Sequence, residues 1–192
     1  MLVQTDLVTW QASLGLARDR ARKEGKALLL DFRAASPSAP SVVIDTVTYS
    51  DPRIVAFIRQ HFVAVQVTLR SQREVETDSE ASRGPVLVVG GGGGEVHYRV
   101  DGTLPPEEFV AQLELSLGRY RLDRGEFVEA IAHFREVADQ HKCTRAAAQA
   151  LLWLCVTQYA QSTGKAPRTT EVGSEAASRQ QEIVTPRRRL PR

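Results

Sequence analysis

Two cysteines and two histidines in the C-terminal half are the first side chains whose chemistry has to be weighed. Cys143 and Cys155 are the two cysteines of this 192-residue chain, and His133 and His141 precede them. A zinc site needs four ligands in a compact pattern. The two histidines are eight residues apart, and this spacing does not form such a pattern. We therefore expect no metal ion and no other cofactor.

The two cysteines leave two functions open. Cys155 falls in an apolar helical segment beside Leu154, which indicates a small core residue, whereas Cys143 falls in a predicted loop. On this interpretation neither thiol is catalytic. The alternative is a thiol–disulfide oxidoreductase or redox chaperone that uses Cys143 or Cys155.

Glycine and glutamate motifs elsewhere indicate structure rather than catalysis. Residues 90–94 are all glycine, but no Gly-Lys-Ser/Thr sequence follows them, as a phosphate-binding loop requires. They predict a flexible hairpin tip. Glu107 and Glu108 follow two prolines in the first turn of a predicted helix, where the helix dipole stabilises acidic side chains.

Composition limits the class of protein. Hydrophobic residues make up 42% of the chain and charged residues 25%, which is enough for a globular core and excludes fibrous and intramembrane classes. Two cysteines cannot form a disulfide scaffold. The first 20 residues lack the basic and apolar regions of a secretory signal. We therefore expect a cytoplasmic protein.

The elements that position these residues alternate between helix and strand over the first half. A helix is predicted from Trp10 to Glu24, and a buried strand from Ala27 to Phe32. Residues 42–47 fit either a strand or a helix. A capping aspartate before a proline, at 50–52, predicts a further helix start, and residues 62–67 predict a second strand.

The second half begins with a hairpin and ends in helices. Residues 86–89 and 95–100 predict antiparallel strands on either side of the glycines. A helix with Phe109, Leu113 and Leu117 on one face follows. Two more predicted helices carry apolar stripes at Phe127, Ala130, Ile131, Phe134 and Val137, and at Ala147, Leu151, Leu154 and Tyr159.

Several of these segments resemble the thioredoxin-like family, including its DUF255-like relatives. The resemblance covers about residues 7–118 and is carried by KALLLDF (26–32), FVAVQV (62–67), Gly84-Pro85 and GTLPPEEF (102–109). It implies an α/β sandwich with a central four-stranded mixed sheet and flanking helices. We therefore assign residues 1–118 to a thioredoxin-like domain.

The segment after the first core strand departs from this family. Active relatives carry Trp-Cys-x-x-Cys there, but Ser36 takes the tryptophan position, and Pro37 and Pro40 take the two cysteine positions. Proline cannot act as a nucleophile, and nearby serines have no adjacent base. The resemblance also implies a buried acid, Asp31, near the lost dithiol. We predict a redox-inactive protein that is not an enzyme.

Gly84 and Pro85 occupy the position of the family's cis-proline loop. In active relatives this loop lies beside the active-site turn and receives an extended substrate chain. Peptide binding at Gly84 and Pro85 is therefore one function that the resemblance implies. The alternative is that Pro85 only preserves the fold.

Residues 119–162 resemble a tetratricopeptide (TPR) unit. Gly118, Gly125, Ala130 and Phe134 follow its helix-pair spacing, but Arg121 stands where an aromatic residue is expected. This TPR-like extension supplies about one and a half repeats, too few for a free-standing array. Its apolar face must therefore pack on the domain before it, on a second copy or on another protein.

Partner-binding residues are expected in the last part of the chain. Trp153 is either a core residue or an anchor for a partner, and Tyr159 lies on the same predicted helix. Residues 163–192 carry a net charge of +4 and little apolar surface, which predicts a basic flexible tail.

The tail contains one concentrated basic patch, Arg187, Arg188 and Arg189. Such a patch can bind an acidic protein surface, and nucleic acid or an anionic membrane is the less favoured partner. The sequence as a whole predicts a protein–protein interaction module or an accessory subunit of a larger assembly.

Overall fold

A computed structural model describes residues 7–34, 39–69 and 86–164. Within them, five strands form one mixed sheet, and three long helices follow it. The strands are β1 (Trp10–Gln11), β2 (Ala27–Ala34), β3 (Phe62–Leu69), β4 (Val86–Gly90) and β5 (Val96–Asp101). The helices are α1 (Leu14–Glu24), α2 (Ala39–Val43), α3 (Pro52–His61), α4 (Pro106–Asp123), α5 (Phe127–Gln140) and α6 (Arg145–Thr163), and a π-helical turn at Ile44–Thr48 continues α2.

The strand order across the sheet is β1-β3-β2-β4-β5. Strand β3 is parallel to β1 and β2, whereas β4 is antiparallel to both β2 and β5. The four predicted strands are thus β2 to β5, and β1 adds a short fifth strand. In this register Asp31 lies opposite Gln66 of β3 and Leu87 of β4.

Helices cover both faces of the sheet. Side chains alternate along β2, so Leu28 and Leu30 pack on one face with Ala17 and Ala21 of α1. The opposite face buries a larger core against α3 and α4, to which β2 contributes Leu29. Asp31 follows Leu29 by two residues and therefore lies on the side of this larger core.

Local signals explain where the first helices begin. The prediction of a helix from Trp10 is wrong, because Trp10 lies in β1 and the helix begins at Leu14. The Ser13 side chain caps it by accepting a hydrogen bond from the Leu16 backbone N–H at 3.3 Å. Residues 42–47, which fitted either a strand or a helix, are helical.

The predicted start of α3 is confirmed. Asp51 caps this helix by accepting a hydrogen bond from the Arg53 backbone N–H at 2.8 Å, and Pro52 is the first helical residue. The predicted hairpin of β4 and β5 is also confirmed, with the glycine run at its tip.

Helix α4 belongs to two hydrophobic cores. Phe109, Leu113 and Leu117 pack against the sheet, whereas Leu115 and Leu122 pack against α5 and α6. The helix runs without interruption through residue 118, where we predicted the boundary between domain and extension. The sheet and the two last helices therefore share one structural element.

Helix α6 buries a different face from the predicted one. Its inner face consists of small residues, Ala146, Ala147, Ala150, Thr157 and Ala160. The predicted stripe is wrong at Leu151 and Tyr159, which are exposed. Apolar residues surround this helix on every side, so periodicity alone could not select the inner face.

None of the helices in the described ranges is long and apolar enough to span a membrane.

Candidate functional site

A buried acid lies near the carboxyl end of β2. Asp31 is 0% exposed. Its Oδ2 accepts hydrogen bonds from Arg33 Nε at 2.7 Å, the Tyr49 hydroxyl at 3.3 Å and Gln66 Nε2 at 3.4 Å. These donors come from β2, from the turn after the π-helical segment and from β3, so Asp31 connects three parts of the fold.

Arg33 links this acid to the segment that follows β2. Its Nη1 and Nη2 donate to the two carboxylate oxygens of Asp45 at 2.9 and 2.7 Å, and its Nη2 lies 2.6 Å from Asp31 Oδ2. Nη1 also donates to the Ser41 carbonyl at 3.4 Å. A guanidinium is a rigid, planar donor, so it fixes the helical segment against β2.

Burial dominates the electrostatics of this group, which we call the Asp31 cluster (Asp31, Arg33, Asp45 and Tyr49). Burial raises the pKa of Asp31, and the hydrogen bonds from Arg33, Gln66 and Tyr49 only partly oppose it. Burial and the nearby Asp31 raise the pKa of Tyr49 well above its ordinary value. Burial would lower the pKa of Arg33, but hydrogen bonds to Asp45 and Asp31 raise it. Arg33 is therefore a cation and Tyr49 a neutral donor.

The second oxygen of Asp31 adds to the cost of its charge. Among the described residues, Oδ1 of Asp31 is buried and has no hydrogen-bond partner. An unpaired buried oxygen loses its hydration without compensation. This cost acts in the same direction as the raised pKa, because both favour the protonated acid.

Exposed valines lie beside the Asp31 cluster. Val42, Val43 and Val47 are 51%, 43% and 49% exposed, and they flank Asp45 on α2 and the π-helical turn. We call these residues the valine patch. A rigid polar cluster thus underlies an apolar surface at the end of β2.

Several predicted site residues cannot be placed. Pro37, Gly84, Pro85 and the arginines at 187–189 lie outside the described residues. Pro40, which the resemblance aligns with the family's second cysteine, lies in α2 and is half-buried.

The two cysteines lie in the helical region. Cys143 lies between α5 and α6 and is exposed, as predicted for a loop thiol. The interpretation of Cys155 as a core residue is wrong, because Cys155 is exposed on the outer face of α6. Neither residue lies on β2, α2 or the π-helical turn.

Trp153 and Tyr159 have different environments on α6. Trp153 is half-buried, and the Arg119 guanidinium carbon lies 3.5 Å from the centre of its ring. This cation–π contact covers one side of the indole. Tyr159 is 68% exposed. Of the two predicted anchors, Tyr159 is therefore the more accessible.

The two histidines that were weighed as metal ligands contact different carboxylates. His133 Nδ1 lies 2.7 Å from Glu114 Oε1, and His141 Nδ1 lies 2.8 Å from Glu107 Oε1.

Glu108 has a role that the sequence did not indicate. Its carboxylate accepts hydrogen bonds from the backbone N–H groups of Arg145 and Ala146 at 2.8 and 3.2 Å, and so caps α6 from α4.

Sequence reasoning singled out Asp31 but missed its partners. Arg33 is two residues along the same strand and therefore points to the same side, which was a usable signal. Tyr49 and Asp45 follow the prolines at an irregular spacing, and no local pattern connects them to β2. Their role depends on the path of α2 and the π-helical turn.

Comparisons with known proteins bear on the fold. Residues 9–89 match the family model described as thioredoxin-like. A solution structure of a "putative disulphide-isomerase" from Bacteroides thetaiotaomicron is 24% identical, with a TM-score of 0.50, and the match covers 60% of this chain and 97% of that one. A DsbH oxidoreductase is 17% identical, with a TM-score of 0.46, and the match covers 61% of this chain and 89% of that one.

The family-model match and the Bacteroides structure confirm the predicted fold class. The chain has a thioredoxin-like α/β fold with a mixed sheet and flanking helices, followed by a helical C-terminal region. No curated protein matches the sequence at a significant level. The TPR-like character of the extension stays a prediction.

Proposed function

We propose that this thioredoxin-like protein is a redox-inactive interaction module or an accessory subunit of a larger assembly. One observation carries the proposal. The buried acid of the fold, Asp31, is held by Arg33 in a bridge to Asp45. The resemblance to the thioredoxin-like family aligns prolines 37 and 40 with the family's thiols. The residues around Asp31 are thus arranged to hold α2 rather than to serve a sulfur nucleophile.

The chemistry of disulfide exchange supports the same conclusion. Exchange needs a thiolate that attacks and a second thiol that resolves the mixed disulfide. Cys143 and Cys155 are both on the helical C-terminal region, away from the elements that build the Asp31 cluster. We therefore do not extend the isomerase function in the name of the similar Bacteroides protein to this chain.

The valine patch supplies the binding surface of the proposal. Three valines at the end of β2 expose apolar side chains next to an Arg33–Asp45 bridge that holds their backbone in place. A pre-ordered apolar surface binds without a large loss of conformational entropy. An apolar segment of a protein partner fits this chemistry. Peptide binding at Gly84 and Pro85, which lie outside the described residues, stays a prediction.

A disulfide-reduction assay tests the redox part of the proposal. We expect the full-length protein to reduce insulin no faster than the buffer with reductant alone. A variant with both Cys143→Ser and Cys155→Ser controls for the two thiols. Reduction by the wild type that disappears in this variant would favour the oxidoreductase alternative and overturn the proposal.

Affinity isolation from native cells tests the binding part. Tagged full-length protein should retain a partner in stoichiometric amount, and Val43→Glu should release it. Val128→Glu is the matched control, since Val128 is an exposed valine on α5, outside the patch. If Val43→Glu and Val128→Glu retain the partner equally, the valine patch is not the binding surface.

A further inference from the structure

A cleft lies at the amino end of β2, opposite the end that carries the Asp31 cluster. Its volume is about 390 Å³. Three cations line it from three parts of the fold, Arg22 on α1, Lys26 before β2 and Arg124 after α4. The lining also includes residues 91–93 of the glycine run and the side chains of Glu95, His97, Tyr120 and Asp123. We call this site the glycine cleft.

Space, rather than backbone conformation, explains the glycine run at the wall of the cleft. Of residues 90–94, only Gly94 has a positive φ, at 103°. A Cβ at Gly91 would lie 2.5 Å from Glu95 Oε2, and a Cβ at Gly93 would also collide with this carboxylate. A Cβ at Gly92 would lie 2.5 Å from Arg22 Cγ. The glycines therefore leave room for an acidic group and for a basic side chain.

Glu95 shows which kind of group this space accommodates. Its carboxylate lies against Gly91 and Gly93. The hydrogen bond to Glu126 raises the pKa of Arg124, and the negative charge of Glu95 raises it further, so Glu95 also acts on a cation of the cleft. Glu95 is an exposed residue, so its side chain can leave the cleft. The chain thus places one replaceable anion among the three cations.

The other acid of the cleft is paired within the fold. Asp123 Oδ2 lies 2.8 Å from His97 Nδ1, and Asp123 Oδ1 lies 3.5 Å from Arg119 Nη2. The first contact orients the imidazole, whose Nε2 lies 3.3 Å from the position that a Cβ on Gly91 would take. Nε2 therefore faces the glycine run. It can donate to a ligand oxygen or accept from a ligand hydroxyl, depending on the tautomer.

We propose that the glycine cleft binds a small molecule through its phosphate group, at the place where the Glu95 carboxylate lies. Arg22, Lys26 and Arg124 then contact the phosphate oxygens. A phosphate group carries about −1.5 to −2 charges at pH 7, more than a carboxylate, so it gains more from three cations in one site. Arginine also matches its oxygens with paired N–H donors. The volume of the cleft lies in the range of about 300–1,000 Å³ that small-molecule sites occupy.

The three cations also contact acids outside the cleft lining. The distances are 3.3 Å for Arg22 and Asp19, 3.2 Å for Lys26 and Glu24, and 2.7 Å for Arg124 and Glu126. Ion pairs at the surface contribute little free energy, so a phosphate can compete for these side chains. The pairs hold the cations near the cleft before a ligand arrives.

This inference goes beyond the proposed function and uses a different surface. The valine patch follows β2, whereas Lys26 precedes it. Purified protein and a phosphate salt can test the cleft. A failure of this test would leave the proposed partner binding untouched, and the absence of a cellular partner would leave the cleft untouched.

Calorimetric titration of the full-length protein with inorganic phosphate, at constant ionic strength, is the first test. We expect the wild type to bind phosphate. Arg124→Gln removes one cation of the cleft and should weaken this binding by about tenfold. Arg135→Gln is the matched control, because Arg135 is an exposed arginine on α5, outside the cleft, and this variant should bind like the wild type.

A change at Glu95 should act in the opposite direction. Glu95→Gln removes the negative charge that lies against the glycines, so it should strengthen phosphate binding several-fold. Weaker binding by this variant would contradict the proposed place of the phosphate. Arg124 and Glu95 are both exposed, so both variants should fold, and their circular dichroism should match the wild type.

Titrations with acetate and with a hexaglutamate peptide distinguish phosphate from other anions. Both should bind more weakly than phosphate. Stronger binding of either one would show that the cleft recognises a carboxylate, and for the peptide an acidic protein segment, and would overturn the proposal. A wild type that does not bind phosphate would also overturn it, as would equal losses in Arg124→Gln and Arg135→Gln. The cations would then serve only their ion pairs and the helix ends.

Discussion

The Asp31 cluster and the outer face of α6, which exposes Leu151, Leu152, Cys155 and Tyr159, reverse the ordinary rule of burial in opposite directions. At the end of β2, a carboxyl group is fully buried within the sheet core. On α6, leucine and tyrosine side chains face outward while alanines face inward. Each arrangement costs stability compared with its ordinary counterpart.

The two regions differ in how the cost is offset. Arg33, Tyr49 and Gln66 partly compensate the buried acid within the chain itself. On α6, residues 146–163 carry no charged side chain, so the exposed Leu151, Leu152 and Tyr159 have only neutral neighbours on the same helix. The buried acid is compensated only in part, because Oδ1 of Asp31 has no hydrogen-bond partner among the described residues, whereas the apolar side chains of α6 stay in contact with solvent.

The largest expected effect contrasts the inner and outer sides of the C-terminal helices. The Phe134 ring is 0% exposed and fills the space beside Gly118. Phe134→Ala removes this ring and should therefore lower the free energy of unfolding by about 3–5 kcal/mol. Leu152→Ala removes a side chain that is 62% exposed and should change this free energy by less than about 0.5 kcal/mol. Urea unfolding measures both. Equal losses would show that Leu152 is buried within the folded chain.

The next effect concerns the attachment of α6 to α4. Glu108→Ala removes the acceptor for two backbone N–H groups at the start of α6 and should cost about 1–2 kcal/mol of unfolding free energy. Glu107→Ala is the matched control. It removes only the contacts to Arg53 and His141 and should cost much less. Thermal unfolding followed by circular dichroism distinguishes the two variants.

The third effect has the opposite sign. Asp31→Asn should raise the free energy of unfolding at pH 7, because it replaces a buried carboxylate, whose pKa burial raises, with a neutral side chain of the same shape. The asparagine oxygen still accepts the hydrogen bond from Arg33, and Arg33 keeps its two bonds to Asp45. Urea unfolding at pH 7 provides the measurement, and a loss of stability there would contradict this account.

The pH profile of the same variant sharpens that test. Because the folded pKa of Asp31 is raised, the native state holds its proton to higher pH than the unfolded state does. The wild type should therefore lose stability as the pH rises above the ordinary carboxyl value of 3.8. The advantage of Asp31→Asn should grow from pH 4 to pH 7.

The smallest effect comes from a histidine at the junction of α3 and α5. Burial lowers the pKa of His61, so the unfolded state binds a proton more readily below the ordinary value of 6.5. Stability from this group is present above that pH and is lost as the pH falls. His61→Phe should reduce the decline in the free energy of unfolding between about pH 6.5 and 5. Unfolding curves at each pH would show this. An unchanged slope would exclude His61 as its source.

The sequence predicted most of the fold because its signals are local. Asp51 and Pro52 mark the start of α3, and the glycine run marks the tip of the β4–β5 hairpin. The start of α1 was misplaced because Trp10 matched the helical spacing, although Ser13 is the stronger helix-start signal and caps the helix. The short strand β1 depends on pairing with β3, which no local pattern indicates.

The candidate site was less predictable because its contacts are not local in the sequence. Asp31 stands out as an acid in an apolar strand, but its partner Tyr49 is 18 residues away and reaches it only through the π-helical turn. The exposure of Cys155 was missed because α6 is apolar on every side. Its inner face is set by the small alanines that allow close packing on α4 and α5, and packing density is not visible in hydrophobicity alone.

Helix α4 makes the sheet and the C-terminal helices a single cooperative unit. The helix contributes Leu113 to one core and Leu115 to the other, so neither core can release it without exposing the second. Local fraying of α5 and α6 is therefore coupled to the integrity of the sheet, and denaturation should proceed as one transition. A fragment that ends at residue 118 would lose five of the 18 residues of this helix along with α5 and α6, so truncation there should destabilise the sheet as well.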